Sequence, residues 1–115
     1  MVVAVAGDAG PELRGLLEER GARLSRAGQE SLDMAFLRVD SAAELERIAA
    51  FRQRLRPAGA IWVLRRKGAA RQVREADVIA AGGRFGLVDN KIASFSDSLA
   101  AMRLVIPLAL RPLEP

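Results

Sequence analysis

The 115-residue sequence contains neither cysteine nor histidine. Without cysteine there is no disulfide framework and no thiol nucleophile, and without either residue the usual zinc site is excluded. The missing histidine also removes the Ser-His pairing on which many hydrolytic nucleophiles depend. Apolar runs are short, and none approaches the roughly 20 residues of a membrane span. Met1-Val-Val-Ala-Val-Ala is apolar, yet it has no basic start and meets Gly7-Asp-Ala-Gly10-Pro at once, so it reads as a strand and not as a signal peptide. Lysine is scarce, with only Lys67 and Lys91. These absences point to the cytoplasm, with no membrane contact, and they exclude much of enzymology.

What is present is globular. Hydrophobic residues make up 50% and charged residues 28%, a mixture that can bury a core. The length suits one domain, residues 1–110, with a short tail at 111–115. The net charge of +4 is carried almost wholly by arginine. So small an excess supports an anionic partner only where the charges cluster on one face.

The stretch Gly59-Ala-Ile-Trp-Val-Leu-Arg-Arg-Lys-Gly68 organises the chain. Its unbroken apolar run, Ala60 to Leu64, is bounded by Pro57 and Gly59 before and a basic loop after. That pattern predicts a strand buried on both faces, as in a parallel α/β sheet. Val2 to Ala6 reads as the first strand, and Gly10-Pro11 opens a helix with Leu13, Leu16 and Leu17 on one face and Gly21 at its end. Ala22 to Ser25 is a thin second strand. If it lies outside the first, residues 26–32 must cross the sheet end; seven extended residues reach about 23 Å, barely enough, so this strand is short or irregular. Asp33 to Val39 is the third strand. Ser41-Ala-Ala-Glu44 has the spacing of a capping box and predicts a helix from there, with Leu45, Ile48, Phe51 and Leu55 on its buried face. A third helix is expected from Arg71 or Gln72 to Phe85, its Gly82-Gly83 either packing closely on the sheet or ending it early. Leu87 to Phe95 and Met102 to Leu108, joined by Ser96 to Ala100 with no helix between, make an antiparallel hairpin. Pro107 belongs at a strand end or bulge.

This order of elements, with Asp33-Met-Ala-Phe-Leu, Arg56-Pro-Ala-Gly-Ala-Ile-Trp-Val, and Gly86-Leu-Val-Asp through Arg103-Leu-Val-Ile-Pro, resembles a reduced class I S-adenosylmethionine-dependent methyltransferase domain. The stretch from Leu32 to Pro107 is also similar to small bacterial proteins of this reduced topology. The resemblance implies a Rossmann-like, mostly parallel sheet of six strands in the order 2-1-3-4-6-5, with about three helices and the antiparallel hairpin at its end. The chain departs from the family where Ala4-Val-Ala-Gly7-Asp-Ala-Gly10 replaces the acidic residue and Gly-x-Gly turn, where Arg23-Leu-Ser-Arg26 offers no carboxylate for ribose hydroxyls, and where Arg38-Val-Asp40-Ser41 replaces a catalytic Asn-Pro-Pro-Tyr-type motif. On those departures no cofactor is expected, S-adenosylmethionine being the one the family would supply.

In open parallel sheets ligands bind beyond the C-terminal strand ends, at the point where neighbouring connections diverge. The loops Gly7 to Pro11, Arg38 to Ser41 and Arg65 to Arg71 should converge there. Gly7, Asp8 and Gly10 would supply backbone N–H groups at a helix start. Arg38, Arg65, Arg66, Lys67 and Arg71 would form a cationic rim for a phosphate-bearing ligand, Arg65 and Arg66 mattering most because they follow the central strand directly. The plainer reading is a solvated basic loop. Asp8, Asp40 and Asp97 are carboxylates near that edge, Asp40 more simply as part of a helix entry. Ser94, Ser96 and Ser98 are turn residues. Trp62 and Phe36 read as core, because helices should cover both sheet faces and leave no ring free to stack on a base. The leading expectation is a non-catalytic domain binding an anion or a protein partner. The alternatives are a minimal methyltransferase using Gly7 and Gly10, or a basic nucleic-acid module. Open sheet edges favour a homodimer.

Overall fold

The computed structural model describes residues 1–25, 28, 30–68 and 72–111. The chain forms β1 (Val2–Ala6), α1 (Pro11–Glu19), β2 (Arg23–Leu24), β3 (Leu32–Arg38), α2 (Ile48–Arg54), β4 (Leu55–Arg66), α3 (Glu75–Arg84), β5 (Val88–Ser94) and β6 (Leu99–Val105). One 3-10 segment, Ala42–Arg47, precedes α2 and another, Leu108–Leu110, follows β6. The six strands form one sheet in the order β2-β1-β3-β4-β6-β5. The four on the β2 side are parallel; β6 runs antiparallel to β4, and β5 antiparallel to β6. No helix among the described residues is long and apolar enough to cross a membrane.

β4 is the spine. Ala35, Phe36 and Leu37 of β3 pair with its Ile61, Trp62 and Val63 on one side, and Leu104, Arg103 and Met102 of β6 pair with the same residues on the other. Ile61 and Val63 are wholly buried, each such side chain stabilising the fold by roughly 1.5–3 kcal/mol. The odd-numbered face of β4 meets α2 and α3 in the main core, with Leu37, Ile48, Val78 and Leu104. Arg84 at the end of α3 reaches Glu46 of the 3-10 segment at 3.0 Å. The other face carries only α1, which buries Leu13 and Leu17 against Val3 and Phe36. Helices therefore do not cover both faces as the sequence led us to expect. Phe36 is buried, but Trp62 is only partly so.

Several boundaries shift for local reasons. β4 starts at Leu55, before the expected glycine, because Leu55 pairs with Leu32. The pairing then lapses until Ala60 meets Met34, so Pro57 sits where no ladder bond needs its missing N–H. Gly59 is required in that irregular stretch, since a Cβ there would lie 2.8 Å from the Asp33 carbonyl oxygen. The capping-box helix forms only in part. Glu44 accepts from the Asp40 N–H at 3.1 Å and the Ser41 hydroxyl at 3.3 Å, but the following turn is 3-10 and the α-helix begins at Ile48. α3 is shorter than expected, and Arg71 lies outside the described residues. Gly82 does pack closely: an added Cβ would stand 3.2 Å from Leu104. β6 begins at Leu99, whose carbonyl accepts from the Phe95 and Ser96 N–H groups, so the hairpin connection is tighter than Ser96 to Ala100. β2 is two residues long and parallel to β1. Arg54 steadies the chain that returns from it by donating to the Glu30 carbonyl and the Ser25 hydroxyl. Arg23, hydrogen-bonded to the Glu30 carboxylate, is held above its ordinary pKa by that bond and charge.

Candidate functional site

The connection leaving β1 runs through α1 to β2, and the one leaving β3 runs through α2 to β4 on the opposite side. The crevice lies between their C-terminal ends. Gly7 and Gly10 both adopt positive φ, 81° and 87°, which a side chain disfavours. Gly7 also lies against β3, where a Cβ would be 2.9 Å from the Arg38 Cβ. The Asp8 carboxylate accepts from the Gly10 N–H at 2.9 Å, so Asp8 shapes the turn that enters α1.

Arg38, the last residue of β3, bridges the crevice. Its guanidinium donates to the Asp8 carbonyl at 2.8 Å and to the Asp40 carboxylate at 3.1 Å. Its Nε is buried and has no hydrogen-bond partner, an unusual deficit for a buried donor. A cavity opens on either side of it. One, about 260 Å³, is lined by Arg38, Val39, Asp40, Arg66, Gln72 and Val73. The other, about 230 Å³, lies between the Asp8–Gly10 turn and Ser96–Leu99, with Glu12 at its rim. Each falls short of the roughly 300–1,000 Å³ of small-molecule pockets, and Arg38 forms part of the wall of both.

The remaining cations of the expected rim separate. Arg66 is exposed and shares the first cavity with Arg38. Arg65 is buried and donates to Glu75, in the first turn of α3, at 3.1 Å. The two consecutive arginines therefore point to opposite faces, as alternation along a strand requires. Lys67 is tied to the hairpin connection, donating to the Ser94 hydroxyl at 2.5 Å and the Ser96 carbonyl at 2.6 Å. Asp8 and Asp97 line one cavity and Asp40 the other, and no cluster of metal-ligating residues occurs among the described residues. Gln72 and Val73 had no signal of their own, since they precede α3 in what reads as helix.

No family model and no curated protein matches the sequence. Solved structures do match in fold. An O-methyltransferase from neocarzinostatin biosynthesis, in complex with S-adenosyl-L-homocysteine and 1,4-dihydroxy-2-naphthoic acid, has a TM-score of 0.64 at 14% identity, over 92% of this chain and 49% of its own. Magnesium protoporphyrin IX methyltransferase from Synechocystis PCC 6803 with bound S-adenosylmethionine gives 0.60 at 12% identity, over 91% and 69%. A TehB-like S-adenosylmethionine-dependent methyltransferase from Corynebacterium glutamicum gives 0.59 at 13%, over 92% and 80%. The chain thus spans about half the length of some of these proteins. The expectation of no cofactor is corrected by this finding, because structures of the same fold hold S-adenosylmethionine or S-adenosylhomocysteine. The chain has the Rossmann-like fold of S-adenosylmethionine-dependent methyltransferases, with six strands and three α-helices among the described residues.

Proposed function

We propose that the protein binds a small anionic ligand in the crevice between β1 and β3, with Arg38 as its principal contact. One observation carries this: Arg38 stands between two cavities with a buried, unpartnered Nε. A carboxylate or phosphate accepting from Nε and a terminal nitrogen would complete the paired bonding a guanidinium favours. Arg66 adds a second cation on the same cavity, and the N–H groups at the start of α1 add a favourable dipole.

S-adenosylmethionine is the first ligand to test, because the residues present match its amino-acid end. Arg38 suits its carboxylate, and Asp40 suits its ammonium group. Gly7 lets the turn lie close against Arg38. Bound there, the cofactor would supply an electrophilic methyl group. The residues of this chain would bind and orient it.

Isothermal titration of the protein with S-adenosylmethionine, S-adenosylhomocysteine and adenosine triphosphate tests the reading. At least one should bind, and Arg38→Gln should weaken it about tenfold or more, the loss of a charge-assisted pair of bonds. Arg66→Ala should weaken it less, and Arg65→Ala should act on stability and not on affinity. Binding of the two adenosyl amino acids alone would identify the amino-acid end as the recognised group. No heat from any of the three, or equal affinity in Arg38→Gln, would dismiss the assignment.

A further inference from the structure

The sheet face that α1 leaves bare carries an apolar groove. Beside α1, this groove of about 270 Å³ is floored by Met34, Phe36 and Trp62 and walled by α1 on one side and by Phe95 and Ala101 on the other. It shares no lining residue with the two cavities at Arg38. Its lining is almost wholly apolar, and Leu16 on its α1 wall stays 45% exposed, an arrangement that exposes to water what a core would bury.

The one charged side chain that lines it is a cation. Arg20 lines the groove at the end of α1. Trp62 pairs with Arg103 across β4 and β6, and Arg103 pairs with Lys91 across β6 and β5, so both cations follow the indole on the same face. Like charges directly opposite each other in a sheet repel. Arg20, Lys91 and Arg103 have no ion-pair partner among the described residues, and no carboxylate lines the groove. An apolar slot with one cation on its wall and two more beside Trp62 along the sheet matches a ligand with an apolar body and one acidic end.

We propose that this groove binds a small amphiphilic carboxylate, its chain or ring system against Phe36, Trp62 and Leu16 and its acid group toward Arg20 and Arg103. A nucleic acid is the weaker match, because the walls are mostly aliphatic and Phe36 is buried and offers no open ring face.

Trp62 is the only tryptophan, so its emission reports on the groove directly. Octanoate, with octanol as the uncharged comparator, is the probe. Octanoate should shift the Trp62 emission saturably, with an affinity about tenfold lower in the Arg20→Gln/Arg103→Gln double variant. Octanol should bind that variant and the parent alike. Ala101→Leu, which fills the slot, should abolish both responses while circular dichroism shows the fold kept; if it unfolds, Leu16→Gln should weaken both ligands together. The proposal is overturned if octanoate gives no saturable change or binds the double variant equally. It is also overturned if Trp62 emission moves with protein concentration alone, the mark of a second copy on the groove, or if octanoate fails to compete with oligouridylate that quenches Trp62.

Discussion

Glycines show the single-residue constraints most sharply, because their neighbours differ so much. Gly7 combines a φ of 81° with a backbone pressed onto Arg38. Gly7→Ala should therefore destabilise the protein by about 1–3 kcal/mol, and it should move Arg38 and weaken crevice binding as well. Gly83 is the opposite case, inside α3 with open space where a Cβ would go. Gly83→Ala should stabilise by about 0.5–1 kcal/mol. Thermal unfolding of the two variants decides both, with opposite signs of shift expected. The sequence presents these glycines alike, one beside Asp8 and one beside Gly82. Only the approach of β3 to the first turn separates them, and that approach is a long-range contact with no local trace.

Among the elements, those with strong local patterns were legible and those that depended on a neighbour were not. The apolar run through Trp62, the first strand, the Gly10-Pro11 helix start and the antiparallel hairpin all stand as expected, because periodicity and turn residues act within a few positions. The early start of β4 was hidden, since the bond from Leu55 to the Leu32 region exists only once β3 is in place. The cationic rim was legible as a location and not as a group. Arg38 and Arg66 share a cavity, but strand alternation sends Arg65 beneath α3. Its pairing with Glu75 also anchors that helix. The Glu75 side chain is half exposed, so Glu75→Ala should cost only about 1–2 kcal/mol. Arg65→Met should be milder than Arg65→Ala, because a buried ion pair is replaced by packing and not by a void. A denaturation series in which Arg65→Met is the worst of the three would mean that the charge itself is needed there.

At the scale of the whole molecule the sheet has two unequal edges. β2 offers two residues, whereas β5 offers seven, with Val88 and Ile92 46% and 51% exposed. An edge of that length invites pairing, and we propose that two copies join through β5. Light scattering should then give twice the chain mass, and Ile92→Lys should return the single mass; a parent that stays single at high concentration rules the pairing out. The position of β1 has a different consequence. It lies between β2 and β3, and its Val2 N–H donates to Asp33, 31 residues further on. A chain emerging from the ribosome at roughly 5–20 residues per second therefore carries an apolar strand for seconds before its long partner exists. β4 waits longer still, because the partner of its Ala60 is Val105 in β6, and α3 and β5 are made in between. Each of these apolar strands leaves the ribosome well ahead of the strand that will cover its edge, and until then it is open to whatever holds nascent chains apart.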